Sequence, residues 1–532
     1  MINGTKIWNS LIPMDIAKKK LRCGREIETF PDLPASIYEA LLNSTRKNAR
    51  KTAIIDNYDR PCSYLELQEK VDRFAAYLMF KAMVNKGDHI ALMLYNSLEF
   101  CVAFLAITKL GAVTVPLPTK YKEQAVKLLI DKSDVQYIIC DRDYFSWFTG
   151  YEHQGVRIIP ADNAEDGYGF SAYTIFNTPR TESAGTSEDT AILMFTSGTT
   201  SQSKGVAIKN YSIMHAIAVY QKLLGITEKD KSIIPIPIYH ITGLVALLGL
   251  FLYTGGTLYL HKYFNPVRVL KCIRGSNITF LHASPTIFSM LHAEAGQFPD
   301  LPSLKKMACG SSNMPREKLR QIHAWLKDST FYTIYGLTET TSPATIFPGD
   351  AATSEYIGSS GFPIPGTRFM IRGEDGSDLP PNVIGEIRIS GTVVLDSYYN
   401  LNTASLKDGW LDTGDLGYFN PEGYLFIVDR KKDMINRGGE KIWSFDVENE
   451  LYRVSGISEA AVVGIPDDIY GETAAAAVKL SPSANLTEAD IKQALTDKIA
   501  RYMIPSRILI LDDIPVTPNG KIDKFSVRKL FT

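Results

Sequence analysis

The sequence has few cysteines, and no two of them form a closely spaced pair. Six cysteines are scattered over 532 residues without a CxxC pair. This scatter argues against a zinc site or a disulfide framework and is typical of a protein of the reducing cytoplasm. An excess of charge is also missing, because 57 basic residues stand against 58 acidic ones and the formal net charge is −1. Neither nucleic acid nor an acidic membrane is therefore expected as the main partner.

A secretory leader and a membrane span are not expected either. The N-terminus lacks a basic start followed by an apolar core. Residues 232–260 contain no Asp, Glu, Lys or Arg, but prolines and glycines interrupt them. The unbroken apolar part, 244–253, is only about half of the roughly 20 residues that a spanning helix needs. We expect a buried helix after a buried strand here, and no integral membrane segment.

What the sequence does have is an alternation of helix-like and strand-like segments. The stretch that begins at Ser63 opens with a capping box, Ser63 and Glu66, and has helical apolar spacing. It is followed by the strand-like "HIALMLY", a helix pattern closed by Gly111, and the strand-like "AVTVPL". The pattern recurs as far as "ITFLHAS" and predicts an α/β fold built on largely buried sheets.

The composition of the sequence changes near residue 430. A charged stretch there, "DRKKDMINRGGEK", contains a glycine pair near its end. Such a stretch is typical of a domain junction. Beyond it come a helix pattern, strand patterns, a helix begun by Thr487 ("TEADIKQALTDKIARYM") and a last strand, "RILILDD". We predict a large N-terminal domain of sheets flanked by helices, residues 1–430, and a small mobile α+β domain, residues 431–532.

The segment "MFTSGTTSQSKGVAIKN" sets an apolar run against a turn rich in hydroxyls and glycine. A Walker loop needs Gly-Lys-Ser/Thr, but Lys204 is preceded by Ser203 and followed by Gly205. The loop still offers backbone N–H groups, hydroxyls and one cation, which are the groups that bind a triphosphate. Taken alone, a loop of this composition is more often a plain surface turn.

Six further motifs decide between these two readings. They are "PIPIYHITG", "CGSSNMP", "YGLTETT", "GWLDTGDLGYF", "DRKKDMINRGGEKI" and "PVTPNGKIDK". Together with "TSGTTSQSKGV" they resemble, in order and rough spacing, the motifs of the adenylate-forming superfamily of acyl-CoA synthetases, adenylation domains and firefly-type luciferases. The resemblance spans about residues 63 to 524. It departs from the usual loop at Ser201 and Ser203, where the family has Gly and Pro.

The resemblance implies a two-step reaction with ATP, Mg²⁺ and CoA. A carboxylate attacks the α-phosphorus of ATP to give an acyl-adenylate and pyrophosphate, and a thiol then displaces AMP. Lys521 would bridge the carboxylate and the α-phosphate, Glu339 would hold Mg²⁺, and Thr338 would contact phosphate. Since the first step brings two anions together, positioning and cations should carry most of the catalysis.

The other family positions are implied to contact nucleotide or thiol. Tyr335 would stack on adenine, with Ile427 on its other side, and Asp415 and Arg430 would contact the ribose and phosphate. The small domain would rotate about Lys432 and bring a glycine pair to the thiol tunnel. The full implied set for ATP and CoA is Thr196, Ser197, Gly198, Thr199, Thr200, Lys204, Gly310, Ser311, Ser312, Tyr335, Gly336, Asp415, Ile427, Arg430, Lys432, Gly438 and Gly439.

Two positions bear on the acid. His240 stands where the family has an aromatic gate between the acyl pocket and the thiol tunnel. Gly336 stands where acetate-selective relatives carry a bulky aromatic residue, so we expect a longer pocket. The lack of an acid in residues 232–260 disfavours an α-amino acid, whose ammonium would be buried without a partner. These features predict an apolar fatty or aryl acid.

We therefore predict an AMP-forming acid–CoA ligase. An alternative acceptor is the pantetheine of a separate carrier protein. Luciferase-like oxidation and a non-catalytic nucleotide-binding protein are the less favoured interpretations. A monomer and a homodimer both fit the sequence.

Overall fold

The structure is a computed structural model that describes residues 1–161, 182–196, 203–482, 484–517 and 521–531. It has a large N-terminal domain of sheets and helices and a small C-terminal domain. The predicted α/β fold class is confirmed.

Two mostly parallel sheets form the body of the large domain. The first has six strands, in spatial order Gly205–Lys209, Thr190–Phe195, Val113–Pro116, His89–Met93, Tyr137–Cys140 and Arg157–Pro160. The second has nine, in spatial order Phe362–Pro363, Thr345–Ile346, Thr330–Tyr335, Lys306–Cys309, Phe280–Ala283, Lys231–Ile234, Thr257–Leu260, Thr52–Ile55 and Pro61–Ser63. Their strands read as continuous apolar runs because helices cover the sheets.

A third, antiparallel sheet leads towards the small domain. Its six strands are Ile2–Asn3, Thr367–Arg372, Gly385–Gly391, Leu406–Lys407, Trp410–Phe419 and Leu425–Arg430. A two-stranded ribbon near the N-terminus pairs Ala17–Lys20 with Glu26–Thr29.

The helices of the large domain surround these sheets. They are Gly4–Leu11, Ile37–Asn48, Tyr64–Phe80, Leu98–Leu110, Glu123–Asp131, Arg142–Phe148, Asn210–Leu224, Leu250–Thr254, Pro266–Ser276, Pro285–His292 and Arg316–Trp325. The predicted capping box is present, since Ser63 caps the Glu66 amide and Glu66 reaches back to the Ser63 amide. Gly111 ends its helix at φ 69°, a left-handed conformation that costs glycine little.

The largest hydrophobic cluster includes side chains from both parallel sheets and from helix Leu98–Leu110, whose residues are nearly all buried. The acid-free stretch 232–260 is part of it. It forms the strand Lys231–Ile234, a π-helical segment, Thr242–Gly249, and the short helix Leu250–Thr254. This is the predicted buried strand and helix. In the described ranges, no helix combines the length and apolar character needed to span a bilayer.

The small domain is an α+β unit whose five strands are Ile435–Arg437, Glu440–Ile442, Ile457–Asp467, Gly471–Leu480 and Arg507–Ile510. Its helices are Ser444–Tyr452, Glu488–Leu495 and Lys524–Lys529. The sequence predicted a longer helix after Thr487, continuing to Met503. That prediction is wrong, because the backbone becomes extended at Ala500 (ψ 144°) and Tyr502 and Met503 pack against the domain core.

Candidate functional site

The site forms where neighbouring strands of the nine-stranded sheet end. Gly310 follows the strand Lys306–Cys309, and Gly336 follows the adjacent parallel strand Thr330–Tyr335. The loop that carries His240 follows a third parallel strand, Lys231–Ile234. Because the strands are parallel, their carboxyl ends lie at one edge of the sheet, where α/β proteins bind ligands.

The predicted phosphate loop connects the antiparallel strands Thr190–Phe195 and Gly205–Lys209. Its base is closed by two hydrogen bonds, from the Thr196 amide to the Lys204 carbonyl (3.0 Å) and from the Lys204 amide to Thr196 Oγ1 (3.3 Å). Four predicted phosphate contacts, Ser197, Gly198, Thr199 and Thr200, lie outside the described residues. Thr196 and Lys204 stand at the two ends of the loop.

Tyr398 connects this loop to the predicted metal ligand. The Lys204 ammonium lies 5.0 Å from the centre of the Tyr398 ring. The Tyr398 hydroxyl donates to Glu339 Oε1 at 3.2 Å. Sequence reasoning missed Tyr398, and no motif marks it. Its place follows from Val206, which pairs with Tyr398 across a β-bridge.

Glu339 is suited to bind a cation together with phosphate. Burial raises the pKa of its carboxyl, and Tyr398 and Lys204 only partly oppose this. The turn Thr338–Thr340 holds Thr338 beside it, and the Glu339 carbonyl accepts from the Leu395 amide at 2.9 Å. Among the described residues, no cluster of three or more His, Cys, Asp or Glu could bind a metal alone. One buried carboxylate matches Mg²⁺, which takes one or two carboxylates, water and substrate phosphate.

Tyr335, Asp415 and Arg430 form a connected group. The Tyr335 hydroxyl donates to Asp415 Oδ2 at 2.8 Å, and Arg430 Nε lies 3.5 Å from Asp415 Oδ1. Asp415 and Arg430 are paired across neighbouring strands, so the sheet register sets their spacing. Burial raises the pKa of the Asp415 carboxyl, whereas the Arg430 guanidinium lowers it. A polar, partly charged group of this kind can hold the hydroxyls of a ribose.

Lys521 of the small domain reaches the same group. Its backbone is held by the Thr517 amide, which donates to the Lys521 carbonyl (2.7 Å), and by a β-bridge between Val516 and Ile522. Burial lowers the pKa of Lys521 to about 8, and Arg430 lowers it further, whereas Asp415 and Glu339 oppose the shift. The structure thus brings the predicted catalytic lysine together with the predicted nucleotide and metal residues.

The pKa of Lys521 predicts a pH dependence for the first half-reaction. Below about pH 8 the lysine is the cation that the step needs, and above it the ammonium loses its proton. We expect kcat/KM for acid-dependent adenylation to fall roughly tenfold per pH unit on the alkaline side. Pyrophosphate release measured from pH 6.5 to 10 tests this.

The Lys521→Arg variant is the control for that profile. A guanidinium keeps its charge throughout this range, so the variant should be slower but lack the alkaline fall. An identical alkaline limb in the wild type and this variant would contradict the assignment.

Gly336 was expected to leave room for a longer acyl pocket, and the structure gives a different reason for glycine at this position. A Cβ built on Gly336 would lie 1.7 Å from the Ser342 carbonyl oxygen. The missing side chain is therefore required by close backbone packing, and the prediction that Gly336 opens the acyl pocket does not follow from its geometry. Gly310 is buried, while Ser311 and Ser312 are exposed. Ser311 adopts φ 73°, a left-handed conformation in which glycine would be less strained.

The His240 loop is held by a residue that sequence reasoning missed. Buried Asn96 accepts from the Ile238 amide at 2.7 Å and donates to the Ile236 carbonyl at 2.9 Å. The half-buried His240 ring lies 5.0 Å from the ring of Tyr239. The only sequence signal for Asn96 is its position in "YNS", between a strand and a helix.

The remaining predicted positions belong to the junction between the domains. Lys432 is exposed, two residues after Arg430, and Ile427 lines a cavity of about 160 Å³ between the domains. Gly438 and Gly439 form an exposed turn with φ 58° and 98°, and the Gly438 amide donates to the Tyr470 carbonyl. In this arrangement Lys521, rather than the glycine pair, faces Asp415.

The chain is similar to known proteins over most of its length. The model of the AMP-binding enzyme family matches residues 41–399, and the model of the AMP-binding enzyme C-terminal domain matches residues 446–521. The chain belongs to the AMP-binding enzyme family. Within this family, a 2-succinylbenzoate–CoA ligase of Bacillus velezensis is 31% identical over 482 residues, 89% of this chain and 94% of that protein. A long-chain-fatty-acid–CoA ligase of Mycobacterium tuberculosis is 30% identical over 460 residues, 84% of this chain and 89% of that protein.

Solved members of the family share the fold. The o-succinylbenzoate CoA synthetase of Bacillus subtilis with its acyl-adenylate intermediate has a TM-score of 0.81 at 28% identity, covering 92% of this chain and 97% of that one. The same enzyme with ATP and magnesium ion has a TM-score of 0.79 at 29% identity, covering 91% and 98%. These comparisons confirm the predicted enzyme, an AMP-forming acid–CoA ligase, and its predicted cofactors ATP, Mg²⁺ and CoA. The non-catalytic alternative is not supported.

Proposed function

We propose that this ligase activates an apolar carboxylic acid larger than propionate, fatty or aryl, and transfers it to CoA. The main support is the convergence of Lys521, Glu339, Asp415 and Arg430, which assembles the charges that an adenylation needs. The large and small domains, divided after residue 430, would have separate roles in the two steps.

In the first half-reaction the residues work by charge and position. Lys204 and the loop that begins at Thr196 would hold the β- and γ-phosphates, and Glu339 with Thr338 would hold Mg²⁺. Asp415 would accept from the ribose hydroxyls. Lys521 would lie between the acid carboxylate and the α-phosphate and offset the negative charge that develops as they meet. Groups that are fixed in place before the reaction need little reorganisation during it, which is how such a site would accelerate the step.

In the second half-reaction Lys521 would obstruct the incoming thiol. Rotation of the small domain about Lys432 would remove it and bring Gly438 and Gly439 to the pantetheine, since glycine lets a ligand approach the backbone closely. His240 would separate the acyl pocket from the thiol path until then. The influence of Asp415, Glu339 and Arg430 on Lys521 supports the proposal that this orientation of the small domain serves the first half-reaction.

The proposed class of acid follows from the apolar side chains of the His240 loop and of the strand ends at the site. Ile238, Ile241 and Leu244 of this loop are buried, as is Ile334 near the end of the strand Thr330–Tyr335. An unpaired ammonium or a second carboxylate would be costly to bury against such walls. Relatives that act on indoleacetate, in Aromatoleum aromaticum, and that form feruloyl-CoA, in Streptomyces, make an aryl acid a natural first test.

The test is a panel of acids incubated with ATP and Mg²⁺, with and without CoA, while pyrophosphate and AMP are quantified. We expect AMP release only with CoA and only with one class of fatty or aryl acids. An α-amino acid and acetate are the matched negative substrates. Turnover confined to either of these would contradict the proposal. A stoichiometric adenylate without turnover on CoA would instead favour a carrier-protein pantetheine as acceptor.

Two further predictions concern the whole protein. All six cysteines are free thiols in the structure, as expected for the proposed cytoplasmic location. We propose either a monomer or a homodimer, since the sequence fits both.

A further inference from the structure

Asp429 joins the two domains next to the nucleotide site. It is the residue before Arg430, on the last strand of the large domain, and it is completely buried. Its Oδ1 accepts from the Arg430 amide at 2.7 Å. Its Oδ2 accepts from the Ser444 amide of the small domain at 2.6 Å. One carboxylate therefore binds the backbone on both sides of the Lys432 hinge.

The small-domain partner of Asp429 is the start of a helix. Ser444 is the first residue of helix Ser444–Tyr452, and Trp443 before it supplies no side-chain cap. The carboxylate from the other domain therefore caps an N-terminal amide that would otherwise lack an intrahelical partner. Because neither group reaches water, separating them would leave both without a partner until water entered.

The contact continues to Lys524, which lies close to Lys521 in the chain. Ser444 Oγ accepts from Lys524 Nζ at 2.6 Å, and the same ammonium lies 2.8 Å from Glu448 Oε1. Lys524 is three residues after Lys521, at the start of helix Lys524–Lys529. The path from Asp429 to Lys521 thus runs through one backbone amide, one hydroxyl and one ammonium.

We propose that Asp429 is a positioning residue that holds the small domain where Lys521 reaches the nucleotide site. Breaking its bond to Ser444 is part of the rotation to the second half-reaction, so Asp429 sets the balance between the two steps. This inference rests on the proposed alternation of the small domain. It adds to it a specific contact that must form for adenylation and break for thioester formation.

The catalytic test compares the two half-reactions separately. The Asp429→Ala variant should slow acid-dependent ATP–pyrophosphate exchange about 10- to 100-fold, the range expected when a buried hydrogen bond to a charged group is lost. Its KM for ATP should change little, because Asp429 does not face the nucleotide. Thioester formation from supplied acyl-adenylate and CoA should be unchanged or faster. Asp429→Asn, which retains an acceptor oxygen, should recover part of the exchange rate.

A second readout does not depend on catalysis. Arg430, Lys431 and Lys432 are exposed tryptic sites at the hinge. Cleavage there should be several-fold faster in Asp429→Ala than in the wild type at equal thermal stability. The control is Glu374→Gln, which removes the exposed interdomain ion pair with Lys441 (2.9 Å) and should change neither readout.

Each outcome bears on the proposal. Equal slowing of both half-reactions with unchanged hinge cleavage would overturn it, as would exchange at the wild-type rate in Asp429→Ala. If the wild type activates no acid, the proposed function fails, but faster hinge cleavage in the variant would still support Asp429 as the residue that holds the domains. Unchanged cleavage would then overturn that role as well.

Discussion

Replacing Lys521 by alanine is expected to slow acyl-adenylate formation by about 10²- to 10³-fold, the loss typical of one preorganised charge-stabilising group. The reason is its place in the structure, since Lys521 is half-buried and lies close enough to Arg430, Asp415 and Glu339 for their charges to shift its pKa. ATP binding should persist, because Lys204, Tyr335 and Asp415 are untouched. Acid-dependent ATP–pyrophosphate exchange measures the first effect, and calorimetric titration with ATP measures the second.

The same variant should leave the second half-reaction largely intact. Supplied acyl-adenylate and CoA should give thioester and AMP at close to the wild-type rate, because Lys521 must move away for that step. Lys498→Ala, which removes an exposed lysine of the same domain, is the control and should behave as the wild type. Equal loss in both half-reactions would mean that Lys521 supports the domain rather than the chemistry.

Replacing Glu339 by glutamine is expected to have the second largest effect, a loss of about 10²-fold in adenylation through weaker metal-assisted charge stabilisation. Glutamine preserves the shape and the Tyr398 hydrogen bond but removes the negative charge. The half-saturating Mg²⁺ concentration should rise in the same variant. Initial rates over a range of Mg²⁺ at saturating ATP measure both changes.

Tyr398→Phe is the matched control for Glu339. It keeps the aromatic ring beside Lys204 and removes the hydroxyl, which donates to the carboxylate at 3.2 Å and also interacts with Ser405. The expected cost is that of one hydrogen bond to a charged group, about 1.5 kcal/mol or roughly tenfold in rate. A Glu339→Gln variant with unchanged Mg²⁺ dependence would contradict the assignment of Glu339 as the metal ligand.

The predicted role of Lys521 depends on residues that position the small domain. Lys521 belongs to the small domain, and its position at the nucleotide site depends on the orientation that Asp429 and Ser444 stabilise. The pKa of Lys521, about 8, is itself a product of burial beside Arg430. Catalytic charge and domain orientation are therefore coupled in this enzyme, and the Asp429 variants should alter the alkaline limb of the pH profile along with the rate.

Local patterns in the sequence were sufficient for most of the elements. Capping boxes, apolar period and terminal glycines act within a few residues, so the helix after Ser63 and the end at Gly111 could be predicted without tertiary contacts. The helix after Thr487 was predicted too long, because local patterns do not include tertiary packing. Its last turn has helical propensity, but packing of Tyr502 and Met503 on the domain core overrides it.

The sequence by itself determined the set of chemical groups, because each motif carries its own lysine, carboxylate or hydroxyl in a recognisable order. Only the tertiary structure decided which of them meet. Tyr398 joins Lys204 to Glu339, and Asn96 holds the His240 loop, through contacts between residues far apart in the chain. The close packing at Gly336 could not be predicted, since the Ser342 carbonyl that crowds it belongs to a loop whose path no local pattern specifies. Contacts of this kind depend on the register of parallel strands and on the orientation of two domains. No single segment of the sequence specifies either of these.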